Sequence, residues 1–374
     1  MLKWAGCFLT TPKLRRRPGR HAKRGPTVLD SKTLTLLLTL LLTPHLTLLL
    51  PNCTPHRTSA SERGGESAKD EPIAPIEPPE IDSSRLREHV TTLSKTIGER
   101  NTAHLAQLSE AEDYIREQLE QFGFEVLVLP ITASDGTTSQ NLVVEVPATR
   151  ADAPTLIVGA HYDSARGTPG ADDNATGVAV LLELARRLHG KELAGRVRLI
   201  AFTNEEPPYF GTEDMGSAAY VASLDEAQRT SITAMLSLEC MGFYSEAPGS
   251  QSYPPLVGSL YPDAGNFVAV VGDLTASKLI AAVKKELANQ NVAVESIAAP
   301  AFVPGIDWSD HAPFAAAGVP ALMVTDTAIF RNPNYHEATD TLEKLDFKRL
   351  AALTHALEAT VLTLVASEQS YRAP

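Results

Sequence analysis

The residues of this chain whose types and placement could do chemistry are His161, Asp163, Asp172, Asp173, Glu205, Glu206, Glu239 and His336. Imidazole nitrogens and carboxylate oxygens are the donors that first-row metal ions take, and two imidazoles with several carboxylates at one place would form such a site. Their positions connect them, because polar clusters directly follow apolar runs. His161-Tyr-Asp163 follows Thr155-Leu-Ile-Val-Gly-Ala160, and Asn204-Glu205-Glu206 follows Val197 to Phe202. Glu239 follows Ile232 to Leu238, and the loop after Ala321 to Thr325 leads to Tyr335-His336. Open α/β sheets place ligands outside the carboxyl ends of their strands, so these groups can converge.

Each residue also has an ordinary structural reading. A lone His161 is more often a satisfied histidine than a ligand, although Asp163, two residues on in an extended segment, faces the same way and could orient it. Gly170-Ala-Asp-Asp-Asn-Ala-Thr-Gly177 could be a turn with a helix cap, for which Asp172, Asp173 and Asn174 all suit. Paired glutamates usually face solvent, but Glu205 and Glu206 end an apolar strand, where two carboxylates repel unless they share a cation or a proton. Glu239 between Leu238 and Cys240 is a poor place for an unpaired charge. Asp310-His311 could be a helix start capped by Ser309.

The elements that must position these groups alternate in type. Ala111, Ile115 and Leu119 mark a helix, followed by strands at 125–130, 141–146 and 155–160. Val178, Leu181, Leu182, Ala185 and Leu188 share one face of a helix. Further strands are expected at 197–202, 232–238, 267–271, 292–297 and 321–325, with helices at 276–289 and 346–366. Alternation of this kind implies a layered α/β fold with a largely parallel sheet and helices on both sides.

Charge divides the 374 residues into two unlike parts. Residues 1–60 hold ten basic residues and one acidic residue, Asp30, which leaves 23 basic against 44 acidic residues in the remainder. So acidic a body repels phosphate backbones, and no nucleic-acid partner is expected. In the leader, Arg15, Arg16, Arg17, Arg20, Lys23, Arg24 and Lys32 precede Leu34 to Leu50, which contains only Leu, Thr, Pro44 and His45. A basic region before an apolar one reads as a signal peptide or a short membrane anchor, or as a leader added by a mis-assigned start codon. The expected organisation is therefore a leader with an apolar signal or anchor over 1–53, a disordered tether over 54–81, and a folded domain over 82–374 opened by a helix cap near Asp82. The expected location is the cell envelope, anchored or periplasmic, or the exterior. Cys53 sits where a lipoprotein signal would be cut, but Leu50-Pro51-Asn52 lacks the small residues of such a site. Cys240 alone in the body offers no disulfide framework.

Taken in order, Gly159-Ala-His-Tyr-Asp-Ser164, Pro169-Gly-Ala-Asp-Asp-Asn-Ala-Thr-Gly177, Thr203-Asn-Glu-Glu206, Leu238-Glu-Cys-Met-Gly242, Ser309-Asp-His311 and Tyr335-His-Glu-Ala-Thr-Asp-Thr341 resemble the zinc-dependent aminopeptidase family that also includes glutamate carboxypeptidase II and the glutaminyl cyclases. The resemblance implies a three-layer α/β/α sandwich with a mixed, mostly parallel central sheet, and a pair of zinc ions. It implies His161 and His336 as ligands of one ion each, Asp173 as the bridge, Glu239 beside His161 and Glu206 beside His336. It further implies Glu205 as general base, Asp163 as the group orienting His161, and peptides with a free N-terminus as substrates.

Two positions depart from the family pattern. Glu239 stands where many members have aspartate, and Ile306-Asp307-Trp308 occupies the stretch where members often carry an oxyanion-holding tyrosine. Tyr244 and Tyr335 are the candidate substitutes. Phe210, Met215, Trp308, Phe314 and Phe330 could line an apolar pocket or belong to the core. The alternatives to an aminopeptidase are a glutaminyl cyclase-like acyltransferase with one zinc and a binding ectodomain without catalysis. An acidic-dipeptide carboxypeptidase would need basic recognition groups and extra domains for which the chain has little room.

Overall fold

A computed structural model describes residues 82–255, 257–367 and 370–372. The basic leader, the apolar stretch, Cys53 and the expected tether lie outside the described residues, which all belong to the unit Pro75–Pro374.

Eight strands form one sheet: β1 (Leu127–Thr132), β2 (Thr138–Val146), β3 (Thr155–His161), β4 (Arg196–Phe202), β5 (Ile232–Glu239), β6 (Val268–Gly272), β7 (Val294–Ala298) and β8 (Ala321–Thr325). Their order is β1-β2-β4-β3-β5-β8-β6-β7. The pairs β4-β3, β3-β5, β5-β8 and β6-β7 are parallel; β1-β2, β2-β4 and β8-β6 are antiparallel. The sheet is thus mixed and mostly parallel, with its parallel centre formed by the strands that precede the polar clusters.

The helices are α1 (Ser83–Thr91), α2 (Leu105–Gln121), α3 (Gly177–Leu188), α4 (Gly216–Ser223), α5 (Glu226–Ser231), α6 (Ser277–Asn289), α7 (His311–Ala316) and α8 (Phe347–Ala366). Alternation along each strand separates the two faces of the sheet. Leu156, Val158 and Ala160 of β3, with Leu236 and Leu238 of β5, pack into a large cluster with α1, α2, α3, α6 and α8. Ile157, Met235 and Phe202 point the other way, onto Tyr220 of α4 and Phe314 of α7. Burial on both faces explains why β3, β5 and β8 read as continuous apolar runs.

Helix α1 starts where the sequence places a cap: the Asp82 carboxylate accepts from the Ser84 backbone N–H at 2.8 Å. Helix α8 is long and apolar enough to cross a membrane, yet 61% of its apolar window is buried. Leu350, Leu353, Leu357, Val361 and Leu364 face the core, as expected of an interior helix. The short helices α4, α5 and α7 have no counterpart among the periodic segments, and α7 differs from the capped helix that Ser309 suggests. It starts at His311 without a side-chain cap, while the Ser309 hydroxyl donates to Glu239 Oε2 at 2.8 Å.

Candidate metal centre

Parallel register brings the first two groups together. Gly159 pairs with Ser237, so His161 and Glu239, two residues further along β3 and β5, lie level and project to the same side. His161 Nε2 is 3.2 Å from Glu239 Oε2 and 3.3 Å from Asp173 Oδ1.

Beyond β4 the chain reverses at Asn204, whose φ of 57° lies in the left-handed region. Two side chains hold that turn. Asn141 Oδ1 accepts from the Thr203 N–H at 3.0 Å, and the two oxygens of Asp163 accept from the Glu205 and Glu206 N–H groups at 3.1 and 3.0 Å. The Asp163 carboxylate therefore orients both glutamates; its Oδ1 is 3.6 Å from His161 Nδ1, which is closer to the Asp163 carbonyl oxygen, at 3.1 Å.

Asp173 sits in the irregular segment before α3, where its own backbone and that of Asn174 leave the helical region. Asp340 accepts from the Asp172 and Asp173 N–H groups at 2.9 and 3.2 Å. The Asn174 amide donates to the Leu238 carbonyl at 2.8 Å, and its oxygen accepts from the Gly177 and Cys240 N–H groups at 3.1 Å each. This approach requires Gly177, because a Cβ there would meet Asn174 Oδ1 at 2.4 Å and the Leu238 oxygen at 2.6 Å. Asp173 is thus held against the end of β5.

His336 comes from the loop between β8 and α8, with φ at 58°. Its Nε2 lies 3.1 Å from Asp173 Oδ2 and 3.3 Å from Glu206 Oε1. The result is two donor groups, His161–Asp173–Glu239 and Asp173–Glu206–His336, whose ligating atoms in each case lie within 4.8 Å of one another. Asp173 belongs to both and turns one oxygen to each imidazole.

The electrostatics fit a cation in each group. Acids outnumber the two imidazoles, and the acids and His161 are all buried. Burial, with Asp173 beside it, pushes Glu206 up to about 8. Burial likewise drives Glu205 well above the usual carboxylate range. Burial alone would raise Asp173 too, but the two imidazoles outweigh it and hold that carboxyl below its ordinary value. Desolvation disfavours a charged His336, yet Asp173 and Glu206 raise it to about 10. Protons here do, at lower charge, what a divalent ion would do. Glu206 Oε1 is buried without a hydrogen bond, as a metal-directed oxygen would be.

The second rank of groups is less visible in sequence. Asp172 accepts from the Gly242 N–H and from Asn332 Nδ2, each at 2.8 Å, tying the Asp172-Asp173 segment to the His336 loop. Burial and the facing Asp326 carboxylate raise Asp172 well above its ordinary value. Asp310 is fully buried with neither oxygen hydrogen-bonded, and burial pushes it up to about 7. Only its place in Ser309-Asp-His311, beside motifs that end strands, signalled it.

A cavity of about 320 Å³ opens onto Asp173, Glu205, Glu206 and His336. Phe210, Trp308 and Phe330 line it with Phe267, Met323 and Tyr335, whereas Met215 and Phe314 are core residues at 2% and 0% exposure. The tyrosines separate as well. Tyr244 donates to the Met241 carbonyl at 3.1 Å beneath Arg331 and Arg349, while Tyr335 stacks on His336 with ring centroids 3.9 Å apart. Its hydroxyl makes no hydrogen bond among the described residues.

Residues 141–361 match the profile of peptidase family M28. YfbL, an uncharacterised protein of Escherichia coli, is 40% identical over 289 residues, covering 74% of this chain and 87% of that one. Aminopeptidase YwaD of Bacillus subtilis is 28% identical over 251 residues, 64% of this chain. The match spans only 48% of that enzyme's length. Among solved structures, a zinc aminopeptidase from Bacillus subtilis superposes with a TM-score of 0.59 at 16% identity, over 78% of this chain and 98% of the other, which shows a shared fold. The profile match over the residues that build both donor groups, together with the 40% identity to YfbL, establishes that this chain belongs to peptidase family M28.

Proposed function

We propose that the chain is an aminopeptidase that works with two zinc ions, one in each donor group, on peptides with a free N-terminus. The observation that carries this reading is Asp173, whose two oxygens each face a different imidazole at 3.3 and 3.1 Å. His161 and Glu239 would hold one ion, His336 and Glu206 the other, with Asp173 shared. When bound, the pair supplies Lewis acidity, lowering the pKa of water and polarising a peptide carbonyl.

The chain's own residues would do the rest. Glu205 stands outside both donor groups and lines the cavity, so its carboxylate is free to take a proton from the attacking water and deliver it to the departing amine. Asp163 fixes that carboxylate through the Glu205 N–H. The unpartnered Tyr335 hydroxyl replaces the family's missing tyrosine as donor to the carbonyl oxygen as it gains charge. The acids around the centre attract the substrate's α-ammonium, and the apolar walls favour a large apolar first side chain. The basic leader and apolar stretch support an exported, envelope-held or secreted enzyme.

A panel of peptides beginning with leucine, phenylalanine or glutamine, each with a free and an acetylated N-terminus, tests the reading. Release of the first residue is expected from the free leucine and phenylalanine peptides and not from blocked ones. Comparable cleavage of blocked peptides would overturn it, and cyclisation of the glutamine peptide without hydrolysis would replace it with the cyclase reading.

A further inference from the structure

Arg100 precedes every motif that builds the site and belongs to none of them, yet it is fully buried. Its guanidinium makes no ion pair among the described residues. It donates instead to main-chain carbonyls: Nε to Tyr162 at 2.7 Å, Nη1 to Pro169 at 2.7 Å and Nη2 to Gly170 at 2.8 Å, with longer bonds from Nη1 to Leu93 and Gly98 at 3.3 Å each. The backbone adds to the clasp, since the Arg100 N–H donates to Ser164 Oγ at 3.1 Å and the Ser164 N–H to the Arg100 carbonyl at 2.9 Å.

Two of those carbonyl sets flank proposed ligands. Tyr162 directly follows His161, and Pro169-Gly170 leads into Asp172-Asp173. The site is crowded to the point that a Cβ at Gly170 would lie 2.5 Å from the Asp173 carbonyl oxygen and 3.2 Å from Arg100 Nη1. One planar cation thus spans the two loops whose side chains meet at 3.3 Å between His161 Nε2 and Asp173 Oδ1. A buried charge without a direct counter-ion is costly. Here the acids that pull on it through space are Asp163, Asp340, Asp173 and Glu206, all at the metal centre.

We propose that Arg100 is a positioning residue for the His161–Asp173–Glu239 ion: its fork sets the spacing of the His161 and Asp173 loops, and its charge offsets the surplus of carboxylates. The inference rests on the two-zinc reading above. Lysine keeps the charge but cannot reach five carbonyls from one ammonium; methionine removes both charge and fork. Among the described residues no Arg100 hydrogen bond reaches the His336 loop, so the second ion should be affected less.

The experiment measures stepwise zinc dissociation by chelator competition in the full chain for wild type, Arg100→Lys and Arg100→Met, with thermal unfolding and the visible spectrum of the cobalt-substituted forms. Arg100→Lys should fold and weaken the more buried ion, that of the His161–Asp173–Glu239 group, by about 10- to 100-fold, the range for groups that orient ligands. Its cobalt spectrum should shift, KM should hold, and excess zinc should restore kcat. Arg100→Met should show the same pattern more strongly. If Arg100→Met fails to fold, Arg100→Lys decides alone. A folded Arg100→Lys chain with wild-type zinc constants and an unchanged cobalt spectrum would overturn the proposal and leave a structural staple. Wild type that takes one ion overturns the two-zinc reading instead, and the Arg100 comparison is then read on that ion; wild type that takes none overturns both.

Discussion

Glu183 and Glu206 are both buried, at 0% and 3% exposure, and their carboxyl groups shift in opposite directions. Glu183, on α3 in the helical layer, accepts from Arg85 Nε at 2.7 Å and from Arg186 Nη2 at 2.9 Å. Burial works against its charge, but the two guanidinium groups outweigh burial and lower its pKa. Glu206, at the end of the turn after β4, pairs with His336 and with no arginine among the described residues, and burial pushes it up to about 8. In the helical layer the protein provides its own cations. At the strand ends it gathers carboxylates and leaves part of their neutralisation to something that is not a side chain. That contrast separates a stabilising ion pair from a metal-binding group more clearly than burial does.

Substitutions at the two sites should break this contrast in graded steps. Asp173→Asn replaces one oxygen of the pair common to both donor groups with an NH2 and removes the negative charge, so zinc per chain should fall from about two to near none, with activity lost by more than about a thousandfold. His336→Ala should leave about one ion, because His161 and Glu239 sit on adjacent strand ends while the His336 side chain is 35% exposed on a loop. Metal analysis of the purified variants checks both. Equal loss of both ions from His336→Ala would mean that the two groups are not separable.

The smallest effect belongs to the helical layer. Glu183→Gln should cost about 1 kcal/mol, since both arginines remain partly exposed, and zinc content should be unchanged. The folded pKa of Glu183 lies below its unfolded value, so its contribution is present above about pH 4.5 and is lost as pH falls through the folded pKa. Denaturant unfolding should show the variant converging with wild type at acid pH. A variant that loses zinc would erase the distinction between the two regions.

Much of this was legible in sequence for a physical reason. Strands β3, β5 and β8 are covered on both faces, so they stand out as apolar runs, and the polar residue that ends each run is where a parallel sheet exposes its chemistry. The donors His161, Asp173, Glu206, Glu239 and His336 could be named on that basis together with the family resemblance. Their supports were less legible. Asp163 stands out beside His161, but its hold on the Glu205 and Glu206 N–H groups, and the parts played by Arg100 and Asp340, run through backbone N–H and carbonyl groups, which leave no side-chain pattern. The short helices α4, α5 and α7 have only eight, six and six residues, too few for periodicity to appear. Cavity wall and core use the same residue types, and only the packing separates Trp308 and Phe330 from Met215 and Phe314.

The central claim is that one acid acts on the proton while five other side chains hold the metal. Zinc per chain and hydrolysis of a free N-terminal leucine peptide, measured together for wild type and Glu205→Gln, test it most directly. The account predicts about two ions in both proteins and a loss of kcat of about a hundredfold to ten-thousandfold in the variant. A Glu205→Gln enzyme that retains wild-type kcat, or one that is inactive because it has lost its zinc, would contradict it.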